Sequence, residues 1–259
     1  MRVYYNEFDP KKCAMLQALM DDGHISKGDI DGRSIRDVRA EDLDGYTRCH
    51  FFAGIGLWDY ALNLAGWPED LPVWTGSCPC QPYSTAGRQK AQADDRHLWP
   101  EWLRLIRECH PSTILGEQVA NSIGHGWLDD VYQGLEAEGY AIGSAVLPAC
   151  SVGAPHKRDR LFFVADTKCQ RPQGHAGDEQ NGYKPGWLCS DQSRPAWQTG
   201  VWIDCPDGKQ RLVEPGISLL ADGYPERVAI IHAAGDGIVP QLAAEFIGAY
   251  MDTLKGTQK

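Results

Sequence analysis

No stretch of this sequence approaches the roughly 18 consecutive apolar residues that a membrane span requires. The first residues, MRVYYNEFDPKK, lack the apolar segment of a secretion signal. Internal repeats and low-complexity tracts are absent, which excludes repeat and fibrous architectures. Positive charge is short: 25 Lys and Arg stand against 35 Asp and Glu, a formal net charge of −10. That balance excludes nucleic-acid binding driven by bulk charge, though not positive charge concentrated on one face. Cysteine is present but unpaired in pattern. The nine residues are an odd number without C-x2-C units, and Cys78-Pro79-Cys80 is too close for an easy mutual bridge. Reduced thiols in a cytoplasmic protein are the expectation. What remains is ordinary: 42% hydrophobic and 23% charged residues over 259 positions give a chain able to bury a sizeable core. One large domain, or a main domain with a small appendage, is expected.

Short β-rich runs alternate with helical stretches, the pattern of a mostly parallel sheet covered by helices. Val3-Tyr4-Tyr5 reads as a strand, and Asp9 to Met20 as a helix with Cys13, Leu16, Leu19 and Met20 on its apolar side. Arg48 to Phe52 is a second strand, running through Ala53-Gly54-Ile55-Gly56 into a helix over Leu57 to Ala65. Val73-Trp74 leads into a loop at Ser77 to Ser84. Leu98 to Cys109 has helical spacing, and Thr113-Ile114-Leu115 is a short buried strand. A helix near Trp127 to Glu138 and strands near Ala141 to Leu147 and Leu161 to Ala165 follow. From Asp166 to about Gly200 the chain turns to Gly, Gln, Pro, Asp and Ser with little periodicity, as in an irregular insertion or small subdomain. Ile238 to Leu254 carries Leu242, Ala243, Phe246, Ile247, Tyr250 and Met251 at the spacing of an amphipathic helix.

Four short segments hold chemistry. Phe51-Phe52-Ala53-Gly54-Ile55-Gly56 ends a strand in two glycines, where a ligand can approach the backbone near a helix N-terminus. A plain strand-to-helix turn fits it equally well. Cys78-Pro79-Cys80-Gln81-Pro82 holds a cysteine in a stiff loop at a strand end, as a thiolate nucleophile or as a structural or metal-bound thiol. Glu117 follows the apolar run Thr113 to Leu115, where burial would raise its pKa and suit a general acid; a satisfied structural Glu is the other reading. His156-Lys157-Arg158-Asp159-Arg160 precedes the strand Leu161 to Val164. Alternation sets Arg158 and Arg160 on one side of an extended segment, suited to phosphate or carboxylate contacts or to a solvated strand start.

Taken in order, these pieces resemble the DNA (cytosine-5)-methyltransferase family. Its hallmarks are an FAGxGG motif, a PCQ nucleophile loop, an ENV glutamate, a QxRxR strand and a C-terminal GNA-plus-helix element. Here they stand as FAGIGL, Pro79-Cys80-Gln81, EQV, HKRDR and GDGIVPQLAAEFIGAYM, with Asp95-Arg96-His97-Leu98-Trp99 similar to the segment between PCQ and ENV. The likeness spans nearly the whole chain except about Asp166 to Gly200, and its flavour is that of short bacterial and phage-borne members. It implies a Rossmann-like α/β methyltransferase fold dependent on S-adenosylmethionine, with a mostly parallel sheet. Residues 1–165 would form the catalytic and cofactor-binding domain, 166–211 a small target-recognition region, and 212–259 a segment returning to the catalytic domain. Only 23 residues separate Gly56 from Cys80, room for one helix and one strand. The family order places there a further strand ending in Glu and an acidic turn. The missing unit stands at the N-terminus, in Tyr5-Asn6-Glu7-Phe8-Asp9 and Ser34-Ile35-Arg36-Asp37-Val38. A permuted order follows, in which the FAGIGL and PCQ strands are neighbours joined by one crossover.

The resemblance implies that Cys80 attacks C6 of a flipped-out cytosine, that Glu117 bonds its N3/N4 edge, and that Arg158 and Arg160 orient the base, Glu117 or phosphates. Phe52, Ala53, Gly54, Ile55 and Gly56 would line the cofactor, with Glu7 on the ribose hydroxyls and Phe8 beside it. Ser34 and Ile35 stand on the adenine side, where Asp29 and Asp37 are further candidates for the adenine partner. Pro79 and Leu98 would flank the methionine side, and Asp236 and Ile238 would complete the site. No metal is expected. Leu57, Gln118, His156 and Asp236 depart from the family pattern. Asp236 brings a carboxylate where the family has a neutral amide, so reduced activity is expected.

Between Ser151 and Gly200 seven basic residues stand against five acidic ones, so the acidic excess falls elsewhere. Trp187, Trp197 and Trp202 lie in or just after this stretch, as a minimal core or as DNA contacts. Double-stranded DNA is the expected substrate, a cognate restriction endonuclease a candidate partner, and the monomer the expected state. Two other readings remain at this level: a methyltransferase-fold DNA-binding protein with impaired catalysis, and a zinc module using Cys78, Cys80 and some of Cys169, His175, Cys189 and Cys205.

Overall fold

A computed structural model describes residues 1–79, 98–154, 156–167, 201–204, 210–213 and 237–256. Seven strands form one sheet: β1 (Val3–Asn6), β2 (Asp29–Asp31), β3 (Arg48–Phe51), β4 (Val73–Gly76), β5 (Thr113–Val119), β6 (Ala141–Pro148) and β7 (Asp159–Asp166). Their spatial order is β2-β1-β3-β4-β5-β7-β6. All neighbouring pairs from β2 to β5 are parallel, and β7 runs antiparallel to both β5 and β6. The fold is therefore mixed α/β with a mostly parallel sheet, as the sequence pattern requires. The FAGIGL strand β3 lies between β1 and β4, so the neighbour relation expected of the FAGIGL and PCQ strands is present.

The helices are α1 (Pro10–Asp21), α2 (Leu57–Leu64), α3 (Trp99–Cys109), α4 (Trp127–Ala137) and α5 (Pro240–Gly256). Each begins for a local reason. Asp9 caps α1 by accepting from the Lys11 N–H at 2.9 Å, with Pro10 in the first helical turn. Gly56, at φ +80°, starts α2. A side chain there would strain the backbone and meet Ile25 Cδ1 at 2.7 Å.

Alternation along the strands divides the core into layers. Phe51, Trp74, Ile114 and Phe163 pack with α3, α4 and the 3-10 turns Ile35–Asp37 and Ala40–Leu43. Val73, Leu115 and Phe162 pack with α2 and α5 on the other face. Leu16 and Met20 of α1 join Val3, Tyr5 and Ile25. At the far end of β7, the Tyr250 hydroxyl of α5 donates to Asp166 while its ring stacks on Trp67.

Two expectations change. β5 continues to Val119, so Glu117 lies inside a strand rather than after it. Arg158 is not extended: its φ of +37° places it in the left-handed region, and β7 starts only at Asp159. Alternation therefore cannot be the reason that Arg158 and Arg160 serve one site. A separate antiparallel pair, β8 (Val201–Asp204) and β9 (Gln210–Val213), straddles the expected boundary after residue 211.

Candidate active site

The C-terminal ends of β1, β3, β4 and β5 meet along one edge of the sheet, where open α/β sheets bind ligands. Glu7 follows β1 and is buried. One carboxylate oxygen accepts from the Gly54 N–H at 2.7 Å and the other from the Asp9 N–H at 2.9 Å. Glu7 thus ties the end of β1 to the glycine turn after β3. Phe52 holds φ +52°, unusual for a residue with a side chain, and its half-buried ring meets Trp102 edge-on at 6.4 Å. Gly54, at φ +59°, has no atom within 4 Å of where a Cβ would stand, so its main chain faces open space. Ala53 is buried, and Ile55 half-buried. Beside them Phe8 is 72% exposed.

Ser34 caps the turn at Ile35–Asp37 by accepting from Arg36 N–H, and Ile35 is buried beneath it. Arg104 of α3 anchors this turn by donating to the carbonyls of Ile35 at 3.3 Å and Val38 at 2.9 Å. Asp29 does not join it. It pairs with Tyr4 two residues before the strand end, and its carboxylate accepts from Tyr46 at 2.6 Å and Arg2 at 3.4 Å. The end of β2 carries Asp31 instead, already held by Tyr4 and Arg33.

At the end of β5, Glu117 is buried and its Oε1 lies 2.8 Å from Arg160 Nε on the neighbouring β7. Burial pushes the Glu117 carboxyl above its ordinary pKa, against the pull of Arg160, a hydrogen bond from Ser77 and the charge of Arg158. Arg158 reaches the site by its left-handed turn, and its guanidinium donates to the Gly237 carbonyl at 2.8 Å. That bond brings the start of β7 to the segment before α5. Ser77 also accepts from the Trp58 indole at 3.1 Å. Gly116 lets Phe163 lie flat against the strand, since a Cβ there would stand 2.1 Å from its ring. Gly76 does the same for Trp102 at 2.7 Å.

Leu98, half-buried, caps α3, while Pro79 is exposed at the edge of the described chain. Ile238 is buried in the core with Trp58 and Phe162, so its side chain packs inward rather than lining the edge. Cys80 and Asp236 lie outside the described residues, as do Trp187 and Trp197. Of the zinc candidates only Cys78 is described, and it is buried. Among the described residues no group of three or more His, Cys, Asp or Glu side chains is placed to hold a metal ion.

Residues 59–186 match the family model of the C-5 cytosine-specific DNA methylases. Over that stretch, just under half of its length, the chain is similar to that family. Type II methyltransferase M.AluI of Cellulosimicrobium cellulans is 34% identical over 194 residues, which cover 66% of this chain and 37% of that protein. Type II methyltransferase M.HhaI of Haemophilus parahaemolyticus is 32% identical over 167 residues, covering 49% of this chain and 51% of that protein. The chain thus spans about half or less of the length of those two relatives. Among solved structures, the Dnmt2 methyltransferase of S. pombe is similar at 16% identity and a TM-score of 0.42, covering 66% of this chain and 52% of that one.

Sequence reasoning missed a buried ionic network under the glycine turn. Arg48 on β3 donates to Asp59 at 3.0 Å, to Asn63 at 2.7 Å and to the Trp67 carbonyl at 3.2 Å. His50 Nε2 lies 3.5 Å from the same Asp59 oxygen, and its Nδ1 is 2.7 Å from Thr75 Oγ1. Asp59 also accepts from the Ser26 N–H at 2.7 Å. Burial alone would raise the Asp59 pKa, but hydrogen bonds and charge from His50, with help from Ser26, hold it below the ordinary carboxylate range. Arginine and histidine inside the hydrophobic strand Arg48–Phe51 were the available signal, because a buried strand tolerates them only with partners.

Proposed function

We propose that the chain is a site-specific DNA methyltransferase moving a methyl group from S-adenosylmethionine to C5 of a cytosine flipped out of double-stranded DNA. The observation that carries this reading is the pair of buried Glu117 with half-buried Arg160, hydrogen-bonded through Ser77 to the segment that leads into Pro79-Cys80-Gln81. Cytosine C5 is a poor nucleophile until C6 is saturated. The Cys80 thiolate adds to C6, and electron density moves into the ring to make C5 enamine-like. Glu117, with a carboxyl raised by burial, holds a proton more readily than an exposed glutamate and supports protonation at N3. Arg160 fixes the orientation of that carboxyl. Methyl transfer to C5 would break the sulfonium S–CH3 bond and leave S-adenosylhomocysteine; loss of the C5 proton to water and departure of Cys80 would then restore the thiolate and the aromatic ring.

The strand ends suit S-adenosylmethionine, which supplies an electrophilic methyl group. Gly54 leaves its main chain open, and Phe8 presents an exposed ring next to Glu7, whose carboxylate has lone pairs left for ribose hydroxyls. Ser34 and Ile35 flank the adenine side. Phe52, Ala53, Ile55 and Gly56 shape the turn, and Pro79 and Leu98 bound the rest; Asp236 is assigned to the same side by the resemblance alone, while Ile238 packs into the core behind it. Target choice falls to the stretch after Asp166. The chain is read as a cytoplasmic monomer, with a restriction endonuclease as candidate partner.

The test is incubation with DNA containing 5-fluorocytosine and S-adenosylmethionine. A denaturation-resistant protein–DNA adduct, absent in Cys80→Ala, is the expected result, because fluorine at C5 blocks the final elimination. No adduct under conditions where the DNA is bound would overturn the reading in favour of a DNA-binding protein without turnover.

A further inference from the structure

The strands that lead to Cys80 and carry Glu117 part company early. Backbone pairing between β4 and β5 ends at Gly76 and Gly116. Two residues later, Gln118 spans the gap with its side chain. Its Nε2 donates to the Cys78 carbonyl at 3.0 Å, and its Oε1 accepts from the Val119 N–H at 2.9 Å. Gln118 is 3% exposed and Cys78 5%, so water does not compete for either bond. One amide thus replaces the missing rungs of the ladder. On the other face, Ser77 is held between the Trp58 indole and the Glu117 carboxyl. Cys80 follows Cys78 by only two residues, one of them proline, which limits the freedom between the anchored carbonyl and the nucleophile.

We infer that Gln118 is a positioning residue for the nucleophile: by clamping the Cys78 carbonyl to β5 it fixes the spacing between Cys80 and Glu117. This deepens the proposed methyl transfer and rests on it. Both reacting groups must meet one base, and a misplacement of about 1 Å costs on the order of a hundredfold in rate. A purely structural role would lower stability without separating kcat from KM.

The test compares parent, Gln118→Met and Gln118→Asn. The methionine keeps the length and removes both hydrogen bonds; the asparagine keeps the amide on a shorter arm. Methyl transfer to DNA, S-adenosylmethionine binding, thermal unfolding and the rate of Cys80 alkylation by iodoacetamide, resolved by peptide mass spectrometry, are measured on each. Gln118→Met is expected to lose about tenfold or more in kcat with KM for both substrates within about twofold, and to change the Cys80 alkylation rate. Gln118→Asn is expected to fall between it and the parent on both measures. Parent-like kcat and alkylation in a folded Gln118→Met would overturn the inference. If that variant does not melt cooperatively, parent-like values in Gln118→Asn would overturn it instead. A parent without methyl transfer would refute the proposed function, and the alkylation rates would still judge Gln118.

Discussion

Arg160 Nε sits 2.8 Å from Glu117 Oε1 on adjacent antiparallel strands, with the glutamate buried and the arginine half-buried. Removing one partner of such a pair strands the other. Arg160→Met is expected to destabilise the fold by about 3–5 kcal/mol and to raise the Glu117 pKa further. Urea unfolding at neutral pH checks the first; a shift of the kcat–pH profile to higher pH checks the second.

Glu117 also sets a pH trend. Its folded pKa lies above its unfolded one, so its contribution to stability is complete below the ordinary glutamate range and is lost as pH rises through the folded value. Glu117→Gln cannot ionise and lacks this loss. The stability of the parent relative to Glu117→Gln should therefore fall as pH rises above the ordinary glutamate value of about 4.3 and level off above the raised folded one. Unfolding free energies of the two proteins from acid to neutral pH check it, and a difference independent of pH would contradict it.

Asp59 gives the opposite sign. Its folded pKa is depressed, so its contribution is present above the unfolded value and lost as pH falls through the folded one. Asp59→Asn leaves Arg48 and His50 buried without a carboxylate and should cost about 3–5 kcal/mol at neutral pH. The gap between parent and variant should narrow below about pH 4, measured by urea midpoints at both pH values.

Gly116→Ala drives a methyl group into the Phe163 ring. A loss of about 1–3 kcal/mol is expected, with strong non-additivity toward Phe163→Leu, which vacates the space. A double-mutant cycle on thermal unfolding measures it.

Asp236→Asn should raise methyl transfer if the carboxylate is what weakens the cofactor side of the site. Initial rates at saturating DNA, with parent and variant side by side, check this.

Much of the fold was legible because it rests on local periodicity. The strand–turn–helix at Arg48 to Leu64 and the amphipathic spacing of α3 and α5 read through directly. β5 extends beyond its apolar run Thr113 to Leu115 because the partners of Gly116 and Glu117 are Phe163 and Arg160, supplied by β7. Arg158 shows the same limit. Its alternation with Arg160 resembles a strand, yet a left-handed residue is what turns it toward Gly237. The Arg48–Asp59–His50 network joins a strand to a helix across a tertiary contact, and no spacing in the chain announces it.

The most direct test of cytosine-5 methylation is bisulfite sequencing of DNA from cells expressing the parent chain beside Cys80→Ala. Cytosines protected from conversion at one recurrent sequence in the parent, and converted in the variant, are expected. Complete conversion in both, with the protein folded and expressed, would contradict it.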